Sequence, residues 1–319
     1  MRRRGRSFFE VATRLCLVAI VAAGCELGSE SAAGPPPVQS PATDAKVEQP
    51  VASISGFTFV EKNKEGYPEY RHDQTGIVFV KLPGGEFTMG GTEKEERDVL
   101  DSVPEKEREF YKGWLAAEKP RHEVTLSPFL IAKYEVTQAE WKRVMGTNPS
   151  RFKGDDLPVE SLSWDHCQRF CEKVGLSLPT EAQWEYACRA GTTTPFAFGE
   201  QITPDDVNYH GSYPYGGAPK GLNRGTTVTV KDLQPNGFGL YHMHGNVWEW
   251  CQDNFDEDFY SKSEARGVDP LCTSGLESRV LRGGSWLNVA GYCRSAFRYW
   301  VPPSNRNLYL GFRPSRLSP

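Results

Sequence analysis

The chain has 319 residues, of which 38% are apolar and 12% are aromatic, and this composition supports a globular fold with a sizeable core. A formal net charge of −4 gives no support for nucleic acid as a partner. The 31 glycines and 23 prolines predict a loop-rich fold with few long helices, whose core is built largely from aromatic rings.

The first 24 residues have the pattern of a secretory signal peptide. An arginine-rich start precedes the apolar run LCLVAIVAA at residues 15–23, which is too short to span a bilayer stably. The letters AAGC at 22–25 resemble the cleavage and acylation site of bacterial lipoproteins. We therefore expect residues 1–24 to be removed, Cys25 to carry a lipid and the protein to be held on a membrane of the bacterial cell envelope, with its domain in the periplasm or outside the cell. The alternative is an ordinary cleaved signal with an incidental cysteine.

Residues 25–75 are predicted to form a flexible tether that leads into the domain. As far as about Pro50 they are rich in proline, alanine and serine, a composition that buries too little apolar surface to offset its ordering entropy. The domain itself is predicted to cover residues 76–316. It begins with IVFVKLPGGEFTMG (77–90), where a β-branched run, a Pro-Gly-Gly turn and a second short strand predict a hairpin.

A charged stretch at about 92–119 interrupts this pattern. It holds nine acidic and six basic residues among few apolar ones. Such a composition predicts a solvated, partly helical surface insertion, and the alternative is an arm that binds a partner.

Three short helices are predicted from their start signals. Thr137 with Glu140 and Thr180 with Gln183 have the spacing of capping boxes, and Ser163 precedes a stretch with apolar residues at helical spacing. Each of the three helices is expected to bury one apolar face.

The cysteines leave several possibilities open. Beyond Cys25, six remain in the mature chain, and six cysteines allow fifteen complete pairings in an oxidising compartment. Cys167 and Cys171 lie one turn apart on the same helix, where a disulfide would be strained, so they are expected to be packing thiols. For Cys293, the basic neighbour Arg294 favours a reactive thiolate, burial against neighbouring rings favours an inert thiol, and a disulfide is the third option.

The segment NGFGLYHMHGNVWEWCQD (236–253) combines histidines, tryptophans and a glutamate. A zinc site at His242, His244 and Cys251 is disfavoured because the paired ligand clusters of structural zinc sites are missing. Glu249 is either a buried, hydrogen-bonded carboxylate that holds two loops together or an oxygen ligand to calcium.

Four motifs in the same order give the chain a specific resemblance. These are LPTEAQWEYACRAG (178–191), GFGLYHMHGNVWEW (237–250), RGGSW (282–286) and LGFR (310–313). Together they resemble the formylglycine-generating enzymes, the sulfatase-modifying factor family, over about residues 76–316. The resemblance implies an α+β domain of C-type-lectin-like architecture with little regular secondary structure. Active members of that family oxidise a cysteine of a sulfatase peptide to formylglycine with copper(I) and oxygen, and two of their own cysteines hold the metal.

The resemblance also assigns residues to the family's active site, and one of them departs from the pattern. The second catalytic cysteine matches Cys293, but the first falls on Asn288. The active-site serine, tryptophan and aromatic residue match Ser285, Trp248 and Tyr292. Copper(I) prefers soft sulfur ligands, so an amide at position 288 argues against copper(I) and against oxidase activity.

The family's two calcium sites and its disulfides match imperfectly. The resemblance implies calcium at Gly245, Val247 and Glu249, whereas the aspartate expected beside Asn208 and Tyr209 is missing, which argues against calcium there. The positions expected to pair with Cys188 and Cys171 hold no cysteine but Arg298 and Pro314, so the family's disulfides are not expected.

Two functions follow from these features. The first is a binding module that presents an aromatic, partly basic cleft around Trp248, Ser285, Trp286 and Arg294 to an exported peptide or protein or to a glycan. The alternative is an active formylglycine-generating oxidase, copper-dependent, with Cys293 as its thiolate.

Overall fold

The computed structural model describes residues 53–318 of the chain. The predicted signal peptide, the cysteine expected to carry a lipid, Cys25, and most of the predicted tether lie outside the described residues. Within them, no helix combines the length and apolar character needed to cross a membrane.

The described residues contain strands in three sheets and helices concentrated in the first half of the domain. The strands are β1 Phe57–Lys62, β2 Pro68–His72, β3 Val78–Leu82, β4 Gly85–Met89, β5 His122–Leu126, β6 Phe129–Ala132, β7 Trp248–Asn254, β8 Arg279–Arg282, β9 Tyr299–Val301, β10 Leu310–Gly311 and β11 Ser315–Leu317. The α-helices are α1 Glu93–Ser102, α2 Glu105–Ala116, α3 Gln138–Met145, α4 Trp164–Val174 and α5 Glu181–Arg189. Short 3₁₀ turns lie at Phe259–Ser261, Ser263–Arg266 and Ala290–Cys293.

The largest sheet has the strand order β1-β2-β3-β6-β11, with all neighbours antiparallel. Its strand β6, between β3 and β11, reads Phe-Leu-Ile-Ala and is buried on both faces, as an uninterrupted apolar run requires. A second sheet has the order β10-β7-β8-β9, and β4 pairs with β5 in a third. After α5, long irregular segments between the short strands carry much of the predicted site. The fold is α+β with few helices, as the resemblance implied.

Two expectations about the start of the domain are wrong. Regular structure begins at Phe57, because β1 and β2 extend the large sheet and Phe57 packs edge-on against Phe79 with ring centroids 5.3 Å apart. The segment 77–90 is not a hairpin either, since β3 pairs with β2 and β6 whereas β4 pairs with β5. At Gly84, which has φ +68°, an added Cβ would overlap the Leu126 carbonyl, so the Pro-Gly-Gly turn passes the chain from one sheet to another.

The three predicted helix starts are confirmed. Thr137, Ser163 and Thr180 each accept a hydrogen bond from the backbone N–H three residues later, and the side chain of that residue returns to the cap in each case. Helix α4 buries its apolar face, and Phe170 stacks on Trp141 of α3 with centroids 5.4 Å apart.

The charged insertion folds into α1 and α2. Their outward-facing residues are mostly charged and exposed, as expected for a surface insertion. Their inner faces are buried, however, and they hold two carboxylates as well as apolar side chains. The buried residues of this inner face and of the turn that follows are Glu95, Val99, Tyr111, Leu115, Ala117 and Glu118.

Candidate functional site

The loop after β8 brings Gly284 against Cys293. Gly284 has φ +74°, and a Cβ at this position would lie 2.5 Å from the Cys293 sulfur. Only glycine combines this backbone conformation with so close an approach. The glycine pair of the RGGSW motif therefore lets the chain fold tightly over the thiol.

Asn288 is tied to the serine of the same motif. The Ser285 hydroxyl donates a hydrogen bond to Asn288 Oδ1 at 2.5 Å, and the Asn288 backbone N–H donates to the Ser285 carbonyl at 3.0 Å. The Asn288 carbonyl in turn accepts from the backbone N–H of His210 at 2.8 Å. The position of the family's first cysteine thus carries an amide that is engaged with its neighbour.

Cys293 is fully buried, and burial raises the pKa of its thiol well above the usual range for cysteine. It is a free thiol. Of the three options for this residue, the geometry favours the inert thiol. A copper(I) site with two thiolate ligands does not fit Cys293 and Asn288, because only one of the two side chains offers sulfur.

Cys188 lies near this loop and is also free. Its sulfur is 3.6 Å from Ser295 Oγ and 3.6 Å from Nε2 of His244. Burial raises the pKa of the Cys188 thiol to about 12 and lowers the pKa of His244 to about 4, so both groups are neutral at pH 7. His244 donates from Nδ1 to the Cys293 carbonyl at 2.7 Å and accepts at Nε2 from the Ala197 N–H at 3.0 Å.

The described residues contain no disulfide at the positions where the family has its own. All six cysteines between residues 53 and 318 are free and buried. Arg298, at one of the positions where the family has a cysteine, forms a two-pronged ion pair with Glu181, with N···O distances of 2.7 and 2.8 Å. Its guanidinium lies over the Tyr260 ring at 4.1 Å. Pro314, at the other position, follows Arg313 in the buried stretch before β11.

Glu249 is a buried structural carboxylate. Its Oε2 accepts from Trp184 Nε1 and from Arg313 Nε, both at 2.7 Å, and its Oε1 accepts from the other side of the Arg313 fork at 2.7 Å. The arginine already neutralises the charge that calcium would need. Gly245, Val247 and Glu249 therefore do not fit a calcium site in this geometry.

Asn208, at the second position considered for calcium, is fully buried as Glu249 is. Its Nδ2 donates to the Thr226 carbonyl and to Asn246 Oδ1, both at 3.0 Å, while its Oδ1 is buried without a hydrogen-bond partner. Tyr209 beside it is buried and donates from its hydroxyl to the Ile202 carbonyl at 3.2 Å. One amide oxygen does not make a calcium site, and residues 53–318 contain no group of three histidine, cysteine or acidic side chains placed to hold a metal.

The three residues considered for zinc do not share one set of contacts. His242 Nε2 lies 3.1 Å from the Thr229 carbonyl, and His244 contacts Cys188 rather than Cys251. The two histidines and Cys251 are thus not assembled into a metal site in the described part of the chain.

Two of the three predicted aromatic residues, Trp248 and Tyr292, come together around Phe297. Trp248 contacts Tyr299 with ring centroids 5.3 Å apart and Phe297 at 6.0 Å, and Tyr292 stacks on Phe297 at 4.6 Å. We call Trp248, Tyr292, Phe297 and Tyr299 the aromatic wall. Trp286 is separate from these contacts, packs edge-on against Phe152 and is only 8% exposed.

The aromatic, partly basic cleft expected around Trp248, Ser285, Trp286 and Arg294 is not exposed in this structure, where all four residues are buried. Arg294 is fully buried and binds two carboxylates of the insertion, Glu95 at 2.8 Å and Glu118 at 2.6 Å. Trp114 of α2 stacks on Tyr292 of the aromatic wall with centroids 5.6 Å apart. The sequence contains one signal for this contact, a tryptophan among aromatic and apolar residues near the end of an otherwise charged stretch.

Comparisons with known proteins agree with this architecture. Residues 65–316 match the family described as "Sulfatase-modifying factor enzyme 1-like domain". The formylglycine-generating enzyme of Streptomyces coelicolor is 31% identical over 73% of this chain and 87% of its own length. The mouse protein named "Inactive C-alpha-formylglycine-generating enzyme 2" is 26% identical over 74% of this chain and 84% of its own length.

A solved structure shows the same fold. PvdO from Pseudomonas aeruginosa superposes with a TM-score of 0.61 at 26% identity, over 83% of this chain and all of that one. The chain therefore belongs to the family of sulfatase-modifying factor enzyme 1-like domains, whose members include formylglycine-generating enzymes.

Proposed function

We propose that this protein binds an exported polypeptide and does not oxidise it. The binding region is the one around Trp248, Ser285, Tyr292 and Cys293, which we call the family pocket. The observation that carries the proposal is the pair formed by Ser285 and Asn288, joined by a 2.5 Å hydrogen bond where the family's first copper-binding cysteine would lie. Of the two positions that match the family's copper-binding cysteines, only Cys293 holds a thiol, and it is buried. A two-sulfur copper(I) site cannot be built from these side chains.

A polypeptide is favoured over a glycan as the ligand. The relatives are named for a reaction on proteins, the modification of sulfatases or the generation of formylglycine. One relative is named as inactive, which supports the idea that this fold is retained without the oxidation. We further propose that the lipid on Cys25 holds the domain at the bacterial cell envelope, where exported polypeptides pass.

The missing oxidation is tested with a Cys-x-Pro-x-Arg peptide, copper(I) and oxygen, followed by mass spectrometry of the peptide. We expect the peptide to keep its cysteine. Catalytic appearance of the aldehyde would instead establish the alternative function, an active formylglycine-generating oxidase.

The binding is tested by photocrosslinking in cells that carry the full chain. Benzoylphenylalanine replaces Leu287, which is half-buried between Ser285 and Asn288, and in a matched control it replaces Leu317, which is 54% exposed on β11. We expect crosslinks to exported polypeptides from position 287 and not from position 317. The same set of adducts from both positions would show that the pocket region is not the binding surface.

A further inference from the structure

The insertion leaves the domain and returns to it at one point. Strands β4 and β5 pair from Gly85 with Leu126 to Met89 with His122, and the Gly91 N–H donates to the Glu118 carbonyl at 3.1 Å. The residues between these two positions, 92–117, form α1 and α2. The two helices are therefore inserted between β4 and β5, which pair with each other directly.

The inner face of α2 covers the aromatic wall. Trp114 lies against Tyr292 and Tyr299 with centroid distances of 5.6 and 5.4 Å and interplanar angles of 14° and 22°. It also contacts Phe297 at 5.7 Å. Near-parallel stacking at such distances is a preferred geometry for a pair of aromatic rings. Trp114 thus fills a position that suits a flat aromatic group, beside Phe297 and Tyr299, which Trp248 also contacts.

Polar contacts attach the insertion to the rest of the domain. Arg294 binds Glu95 at the start of α1 and Glu118 after the end of α2, and Arg298 donates to the Ala117 carbonyl at 2.8 Å. Tyr111 and Leu115 of α2 belong to the same buried apolar cluster as Cys293. The insertion therefore covers Cys293 and its neighbours, whereas its outer face is already in contact with water.

We propose that α1 and α2 form a lid that closes the family pocket in cis, with Trp114 in a subsite that takes an aromatic side chain of the polypeptide ligand. The ligand displaces Trp114, and the lid swings away on the β4–β5 hairpin. The identity of the ligand rests on the proposed function, but the lid itself does not.

Opening of the lid is tested by hydrogen exchange and mass spectrometry on the full chain. Trp114→Ala removes the stacked ring. Glu95→Gln weakens the ion pair between α1 and Arg294, while Glu118 keeps both of its bonds to Arg294. In either variant we expect amides of residues 93–116 and of 292–300 to exchange about tenfold faster, together, with β4 and β5 unchanged. Phe59→Ala, an exposed aromatic on β1, is the control and changes neither segment.

Two exchange results would overturn the lid. One is faster exchange in 93–116 with no change in 292–300, because the helices would then not cover the pocket. The other is that amides 93–116 exchange only when the whole domain unfolds, because the insertion would then be part of the core and would not open separately. Glu95→Gln keeps the test decisive if Trp114→Ala does not fold.

The aromatic subsite is tested by calorimetry with N-acetyl-L-tryptophanamide as the probe. An apolar cavity left by a deleted side chain can bind a small ring of matching shape. We expect Trp114→Ala to bind the probe at least about tenfold more tightly than the wild type, in which Trp114 competes. Equal affinities, or no binding by a Trp114→Ala protein with native circular dichroism, would contradict the subsite. If position 287 gave no crosslinks but exchange and probe binding were as expected, the proposed function would fail and the lid would stand.

Discussion

At the scale of single residues, the site is decided by a few contacts around one buried thiol. The family resemblance assigned Ser285, Asn288 and Cys293 to one site, and all three follow the glycine pair in one short segment. The sequence could not predict that Arg294 turns inward, since its two carboxylate partners lie 199 and 176 positions earlier in the chain. The three options for the Cys293 thiol also stayed open, because burial depends on distant residues.

Gly284→Ala is expected to destabilise the domain more than a typical glycine replacement. The new methyl group meets the Cys293 sulfur, and the left-handed backbone adds strain. Gly191→Ala is the matched control, because Gly191 has φ +85° but open space around it. In urea denaturation, we expect a loss of about 1 kcal/mol at Gly191 and at least about 3 kcal/mol at Gly284. Equal losses would show that the contact with Cys293 costs nothing.

His244 is expected to make the domain sensitive to acid. Burial lowers its pKa to about 4, below the ordinary 6.5, so between these values the unfolded chain binds a proton that the folded state excludes. Stability contributed by this group therefore falls as the pH drops from about 6.5 to about 4.

The variant His244→Gln isolates this effect. Asp253, whose pKa burial raises to about 7, titrates in the opposite sense, but it does so in both proteins and cancels in the comparison. We expect the free energy of unfolding of His244→Gln to fall less steeply between pH 6.5 and 4.5 than that of the wild type. Identical slopes would mean that His244 is not the group responsible.

At the scale of elements, local signals predicted the helices and failed for the strands. Capping boxes involve residues three apart, so Thr137 and Thr180 reveal helix starts without knowledge of the rest of the fold. Strand pairing is not local, and β3 and β4, although adjacent in sequence, have different partners. The insertion was predicted as a charged surface element because most of its residues are charged. Its buried side chains are too few to form a periodic pattern in the sequence, so its packing against the domain was not predicted.

The cap at Thr180 gives a prediction for helix α5. Thr180→Ala removes the oxygen that accepts from the Gln183 N–H at 3.1 Å, and the expected loss of stability is about 1 kcal/mol. Thr193→Ala, at an exposed position in the turn after α5, is the control and should cost less than about 0.5 kcal/mol. A loss at Thr193 as large as that at Thr180 would contradict a role for the cap.

At the scale of the whole molecule, buried ion pairs connect the C-terminal part of the domain to its earlier elements. Four arginines in the C-terminal part of the domain are fully buried, and each faces at least one buried glutamate. They are Arg282, Arg294, Arg298 and Arg313. Removing one partner of such a pair leaves an uncompensated buried charge, which makes these pairs costly to break.

The melting temperature of the domain is therefore expected to be independent of reductant. With all six cysteines of residues 53–318 free, dithiothreitol has no bond to break. Calorimetry with and without dithiothreitol measures this, and thiol titration in guanidinium provides the count. A melting temperature several degrees lower in reductant would reveal a disulfide and contradict the arrangement of Cys188 beside His244.

The central claim is that an amide at position 288 leaves one thiol where a copper(I) site needs two. The most direct test is a copper(I) titration of the purified protein against a competing chelator, with Asn288→Cys as the comparison. We expect the wild type to lose copper(I) to the chelator and Asn288→Cys to hold it more tightly. Copper(I) held by the wild type with the affinity of two thiolates would contradict the claim, since a second sulfur ligand would then have to lie beside Cys293.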